Sequence, residues 1–298
     1  SSIATEGLLT APAIAQSIRV PDGSGTTITL APETKTYRIT GDTRSRDGLN
    51  LFHDLTQFGL NRDEIANFIA QDGVGNILTR VTGGDASIIN GLIQVLELDD
   101  SASSANLFLM NPAGLVFGEG ASLNVAGDFT ATTAVGIGFG EGWFSATGEN
   151  DYGSLIGTPN RFAFGLTTGR NGNGAIVNAG DLEAGNDLSL LGGSVINIGS
   201  LRASSDVVVA SIPGENLVQI RQPGNLLSLE ITPITDAEES GLPENPSPEG
   251  ALSDSLPNFW TLPILSLPEL LTGGEVSQAT NIVTNTAEDA IALLKLNR

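Results

Sequence analysis

Residues 106–134 read NLFLMNPAGLVFGEGASLNVAGDFTATTA, and this stretch decides the fold. Leu107-Phe108-Leu109-Met110 is a continuous apolar run, the pattern of a strand buried on both faces. Asn111-Pro112-Ala113-Gly114 then fits a type I turn. Asn at the first position can bond back to the backbone, Pro at the second brings φ already set, and Gly suits the fourth. Leu115-Val116-Phe117 resumes the strand and Gly118-Glu119-Gly120 turns again. Leu123, Val125 and Phe129 supply the next buried side chains.

A repeat lies further along. Ile176-Val177-Asn178-Ala179-Gly180-Asp181-Leu182 aligns with Val195-Ile196-Asn197-Ile198-Gly199-Ser200-Leu201 at a spacing of 19 residues. Asp187-Leu188-Ser189-Leu190 aligns with Asp206-Val207-Val208-Val209 at that same spacing, and Ala126-Gly127-Asp128-Phe129 resembles residues 184–188 some three periods earlier. Strand–turn–strand content at a period near twenty argues for a parallel β-helix of stacked coils. Asn178 and Asn197 are expected to stack at one corner, where an amide ladder satisfies turn backbone. No helical stretch alternates with these strands, which argues against a leucine-rich repeat.

The remaining chain fits such a solenoid. Short strands at 18–20, 26–30 and 37–40 are separated by turns, and are expected to cap the first coil. Residues 41–48 are a charged loop, and residues 50–58 a strand with Leu51, His53 and Leu55 on one face. Asn61 and Glu64 stand at capping-box spacing before Ile65, Phe68 and Ile69, with Gly73 beyond, which predicts one short helix. Residues 76–84 and 87–95 read as further strands and turns. Phe139, Trp143, Phe144, Tyr152, Phe162 and Phe164 mark an aromatic excursion packed on one flank. Residues 232–257 are rich in Pro, Glu and Ser, the composition of a disordered linker, and residues 286–296 are read as a terminal helix.

The strand–turn–strand around residues 111–114 resembles the N-terminal secretion domain of two-partner-secretion exoproteins (TpsA), the filamentous-haemagglutinin type. That family carries an Asn-Pro-Asn-Gly turn; here Ala113 takes the third position, which accepts most residues in this turn. The Leu51-Phe52-His53…Phe58 run and residues 76–95 are similar to the family in the same order. A second family motif, Asn-Pro-Asn-Leu, is replaced by Gln71-Asp72-Gly73-Val74. The similarity spans roughly residues 17–231. It implies an all-β, right-handed parallel β-helix, pectin-lyase-like, with an amino-terminal β cap. It implies that Asn111, Pro112, Ala113 and Gly114 form a secretion motif. It also implies a partner: an outer-membrane β-barrel transporter (TpsB type) whose periplasmic POTRA domains recognise the unfolded chain. The chain would then fold outside, as a monomer, on the surface of a Gram-negative-type bacterium or released from it, after transient passage through the periplasm.

Composition agrees. The chain of 298 residues carries a net charge of −21, which disfavours nucleic acid and anionic membrane surfaces. It has no cysteine, which suits unfolded transit through an oxidising periplasm. No apolar run is long enough to span a membrane. Residues 8–16 read either as the tail of a secretory signal peptide cleaved after Ala13-Ile14-Ala15 or as a loose N-terminus. The expected organisation is a remnant at 1–15, a secretion domain at 16–231 and a tail at 232–298 leading into a further adhesive or effector region. No catalytic site, metal or cofactor is expected. His53 is the single histidine and sits mid-strand, and Gly172-Asn173-Gly174 precedes a strand rather than a helix. Two alternatives stand beside this reading. One is an adhesin binding carbohydrate or cells through an aromatic patch around Trp143 and Tyr152. The other is a polysaccharide-degrading β-helix enzyme with acids clustered on one sheet.

Overall fold

A computed structural model describes residues 17–140, 142–165, 174–212, 216–221, 228–233, 279–285 and 291–296. The first strands are β1 (Thr26–Ala31), β2 (Thr36–Gly41), β3 (Asn50–Leu55), β4 (Ile65–Ile69), β5 (Asn76–Val81), β6 (Ser87–Ile89), β7 (Leu92–Leu96) and β8 (Asn106–Met110). Then come β9 (Leu115–Phe117), β10 (Ser122–Asn124), β11 (Phe129–Thr132), β12 (Gly136–Phe139), β13 (Gly142–Ser145) and β14 (Arg161–Phe164). The last are β15 (Ala175–Asn178), β16 (Asp181–Ala184), β17 (Leu188–Gly192), β18 (Ser194–Asn197), β19 (Ser200–Ala203), β20 (Val207–Ser211), β21 (Asn216–Arg221), β22 (Ser228–Pro233), β23 (Ala279–Asn285) and β24 (Ile291–Leu296). Among the described residues the only helical element is a single turn at Tyr152–Ser154, and no helix is long and apolar enough to cross a membrane.

The strands wind through three sheets in strict rotation. Sheet I runs β1-β2-β4-β7-β10-β16-β19, sheet II runs β3-β5-β8-β11-β17-β20 and continues to β24 and β23, and sheet III runs β6-β9-β15-β18. From β2 onward every pairing within the coils is parallel, and the chain visits I, II and III in turn, the first coil meeting sheet III only through the single bridge of Leu60 to Ile89. This is a parallel β-helix, as expected. The rhythm breaks once. After β11 the chain leaves the coil for β12–β14 before returning at β15. These strands join β21 and β22 in an antiparallel flank sheet, ordered β13-β12-β14-β21-β22.

The burial of each sheet follows from what covers it. Sheet I alternates along β4 and β7: Ala66, Phe68, Ile93 and Val95 point inward, while Asn67 and Gln94 stay half-exposed. Strands β3, β5 and β11 of sheet II are buried at every position. Their second face packs under the flank sheet. Leu51, Leu55, Ile77, Leu107, Leu109 and Phe129 lie in the coil interior, whereas Phe52, Leu78, Phe108 and Met110 join Ile137, Phe139, Phe144, Phe162 and Phe164 in a second core. The unbroken apolar run 107–110 is therefore the signature of a strand with a core on either side.

The amino end is sealed on all three sheets. β1 lies antiparallel on β2 at the edge of sheet I. The 43–45 segment covers β3, with Phe52 N–H donating to Thr43 O at 2.9 Å. Leu60 N–H donates to Ile88 O at 3.0 Å and covers β6. Sealing satisfies backbone that the first coil would otherwise leave open.

Three expectations change. The helix after Asn61 is instead strand β4. The Glu64 carboxylate does accept from Asn61 N–H at 2.7 Å, as in a capping box, but the bond closes a turn that carries Asp63 at φ +68°. Ala66 and Phe68 alternate inward as well as Ile65, Phe68 and Ile69 would have made a helical stripe, and the flanking β2 and β7 supply the hydrogen bonds that decide it. At the carboxyl end, residues 291–296 form β24, antiparallel to β23 and β20, rather than a helix: the edge of β20 offers a ladder that a helix could not use. Finally, the similar segments at 126–129 and 184–188 lie on adjacent coils, with Phe129 opposite Leu188, because the excursion fills the gap between them. The proposed remnant at 1–15, residues 234–257 of the linker expected at 232–257, and residues 286–290 lie outside the described residues, while Thr232 and Pro233 of that linker end strand β22.

Candidate functional site

The corner at 111–114 joins β8 in sheet II to β9 in sheet III. Gly114 N–H donates to Asn111 O at 3.0 Å, the closing bond of the expected turn. The Asn111 side chain does more than cap this turn. Its Oδ1 accepts from Ala113 N–H at 3.0 Å. Its Nδ2 donates to Asp85 O at 3.0 Å and to Ser87 Oγ at 2.9 Å, both on the preceding coil. Its own backbone N–H donates to Thr132 O on the following coil at 2.9 Å. One residue thus ties three successive corners together. Asn111 is wholly buried, Pro112 and Gly114 are buried, and Ala113 is half-buried.

The corner is tight on its upper side too. Gly114 has φ +124°, in the region that glycine alone occupies freely. Gly174 of the next coil lies directly over it; a Cβ there would sit 2.4 Å from Pro112 O. Ala113 leaves this packing intact, since its backbone N–H makes the contact to Asn111 and its side chain makes none that the turn needs. At the place of the second family motif, Val74 N–H donates to Gln71 O at 3.0 Å and closes a different turn. There Gln71 is the brace: its Oε1 accepts from Arg44 at 2.6 Å and its Nε2 donates to Gly41 O.

Two amide ladders run up the solenoid. The expected one is present. Asn178 Nδ2 donates to Asn197 Oδ1 at 2.8 Å, and Asn178 Oδ1 accepts from Gly180 N–H at 3.1 Å. The second was not anticipated. Asn76 Nδ2 donates to Asn50 Oδ1 at 2.8 Å and Asn106 Nδ2 to Asn76 Oδ1 at 2.9 Å. Asn106 Oδ1 then accepts from Asp128 N–H at 2.8 Å, Asp128 Oδ1 from Asp187 N–H at 3.1 Å, and Asp187 Oδ1 from Asp206 N–H at 3.0 Å. The column climbs the entrance of sheet II on every coil, changing from amide to carboxylate midway. Burial, with the Asp187 charge adding to it, pushes the Asp128 carboxyl up from the usual carboxylate range.

A buried polar cluster lies between sheet II and the flank. Asp54 and Arg80, opposite one another on β3 and β5, are bridged by two hydrogen bonds. Arg80 also donates to Ser145 O and Gly148 O, and Tyr152 Oη donates to Asp54 Oδ2 at 2.6 Å. Burial and this bond push the Tyr152 hydroxyl up to about 12. On the coil side, His53 is fully enclosed. Its Nδ1 lies 3.4 Å from Thr26 Oγ1, and Nε2 has no hydrogen-bond partner among the described residues. Burial pushes its pKa down to about 4. Such a histidine is core, with no access to a substrate.

Among the described residues no three His, Asp or Glu side chains gather as a metal-binding group. An open cleft at the cap is lined by the 20–27 loop, Thr40, Gly41, Asp42 and Gln71; it holds the carboxylates Asp22 and Asp42, and Arg44 bonds to its Gln71. Tyr152 faces into the flank core, and Trp143 lies beneath the Arg161 guanidinium at 4.8 Å, so the two do not form one open aromatic patch.

The family model described as "TPS secretion domain" matches residues 18–246. Among solved structures, the HMW1 secretion domain from Haemophilus influenzae is similar with a TM-score of 0.47 and 20% sequence identity, over 73% of this chain and 48% of that one. The chain thus spans about half the length of that structure. Among curated protein sequences no relative matches.

Proposed function

This chain belongs to the TPS secretion domain family, and on that premise we propose that its 111–114 corner is read during export as unfolded chain and closes only afterwards. The domain is the secretion domain of a TpsA-type exoprotein, a family of exported proteins rather than of enzymes. Its partner is an outer-membrane β-barrel of the TpsB type, engaged through periplasmic POTRA domains. The polypeptide crosses the periplasm briefly, folds outside as a monomer and remains at the cell surface or is released.

The observation that supports this reading most is the burial of Asn111. Its amide is spent on Asp85, Ser87 and Ala113, and its surface is closed. A partner can meet that side chain only before the coil forms. In the unfolded chain, short β-prone segments such as 107–110 can add to an open sheet edge of a receptor, and backbone hydrogen bonds would hold them there. Outside, each new coil buries apolar surface on the last, so folding biases movement outward without a nucleotide.

The test is secretion of the chain with and without its co-expressed cognate barrel. Export that requires the barrel supports the reading. Equal export without it, at equal expression, counts against it.

A further inference from the structure

The flank is joined to the earliest coils, although it is made much later in the chain. Asn50, the first residue of β3, gives both amide hydrogens to it: Nδ2 donates to Leu155 O at 2.8 Å and to Gly157 O at 2.9 Å, 105 and 107 residues downstream. Arg80 gives both Nη1 donors to Ser145 O and Gly148 O at 2.8 and 2.9 Å, and its Nη2 also donates to Tyr152 Oη at 3.3 Å. Asp54 receives Tyr152 Oη from 98 residues away. Asp47 Oδ2 accepts from Gly157 N–H at 2.8 Å, and Gly153 O accepts from Arg46 N–H at 3.1 Å. Above these polar contacts, Phe144 and Tyr152 pack on Phe52 with ring centroids 5.1 Å apart in each case.

Without the flank, β3, β5 and β8 would present Phe52, Leu78, Phe108 and Met110 to water. They would also leave the Asp54–Arg80 pair with unfilled donors. An exposed stripe of four large apolar side chains forgoes most of the burial that stabilises a strand. Unpartnered polar groups add to that deficit. The coil interior alone holds only one side of these strands.

We propose that residues 136–164 act as a strap: the amino-terminal coils reach their stable state only when this later segment closes over them through the Asp54–Arg80 socket. In a chain that emerges amino end first, the first coils would then stay soft until the strap is also outside. This consequence for export rests on the proposed function above; the folding dependence itself does not. It sets a length of about 160 residues that must pass before the first firm structure forms. Early coils that cannot lock remain threadable.

The test uses the full chain refolding from denaturant, with pulsed hydrogen exchange. The amides of β3, β5 and β8 should gain protection in the same phase as those of β12 and β14. Protection of β3, β5 and β8 in an earlier phase, while β12 and β14 still exchange, would overturn the strap. A second measurement uses Tyr152→Phe, which removes one hydroxyl from the socket. Native-state exchange in β3 and β5 should rise about tenfold, with a smaller rise in β18 and β19. No rise in β3 and β5, or an equal rise in all four, contradicts the proposal. Refolding in solution needs no transporter. A chain that refolds in this order but is exported without the barrel would overturn the export reading alone, and barrel-dependent export with early protection of β3 would overturn the strap alone.

Discussion

Arg80 holds Asp54 by two parallel hydrogen bonds, Nε to Oδ1 at 2.6 Å and Nη2 to Oδ2 at 3.0 Å, across neighbouring strands of one sheet. Both side chains are largely buried, at 8% and 12% exposure. A paired charge in such a place costs little while its partner remains, and much when the partner goes. Arg80→Met should therefore destabilise the domain by about 3 kcal/mol. Asp54→Leu combined with Arg80→Met should recover a large part of that loss. Denaturant midpoints of the single and double variants give the coupling directly.

Acid should weaken the domain through His53. Its folded-state pKa of about 4 lies below the ordinary 6.5 because burial disfavours the charged ring, against a weaker opposing pull from Asp54. The unfolded chain therefore takes up the proton first as pH falls. The stability His53 contributes is whole above pH 6.5, declines between 6.5 and 4, and is flat below that window. The loss is roughly 3 kcal/mol. Thermal melts across this range should show that slope in the native chain, and His53→Leu should abolish it.

The two amide ladders differ in how visible they are from sequence. Asn178 and Asn197 stand 19 residues apart with matching neighbours, so alignment alone finds them. The column from Asn50 to Asp206 shows in alignment only at its upper end, where Asp187 and Asp206 stand 19 residues apart. Its steps are 26, 30, 22, 59 and 19 residues, and the side chain changes from amide to carboxylate after Asn106. Only the strand register brings Asn50, Asn76 and Asn106 into line. The 111–114 corner was legible because turn chemistry is local. The helix expected after Asn61 failed for the converse reason: the Asn61–Glu64 bond is genuine, yet serves a turn, and the choice between helix and strand lay with β2 and β7. The excursion was legible as an aromatic segment, but its contacts with Asn50 and Arg80 were not, since nothing local to either residue marks them.

Asn76→Ala should cut the longer ladder near its amino end. It strips a donor from Asn50 Oδ1 and an acceptor from Asn106 Nδ2, both at buried or half-buried sites. Leaving such groups unpaired costs about 1–3 kcal/mol. Calorimetry of the variant should show the loss. Asn76→Asp should not recover it, because a buried carboxylate would face Asn50 Oδ1, whose amide hydrogens are already held by Leu155 O and Gly157 O.

Gly114→Ala tests the tightness of the corner. The backbone there has φ +124°, and a Cβ would lie 3.1 Å from Ala175 O on the next coil. Strain and overlap together should cost about 1–3 kcal/mol. Hydrogen exchange should report it first at β9 and β15, which flank the corner.

The most direct test concerns Asn111 during export. Cells carrying the cognate barrel would express the native chain or Asn111→Ala at matched intracellular levels, and the rate of appearance outside would be followed. The account expects the variant to emerge several-fold more slowly, because the side chain that closes this turn and joins it to the preceding coil is gone. An export rate equal to that of the native chain would contradict it.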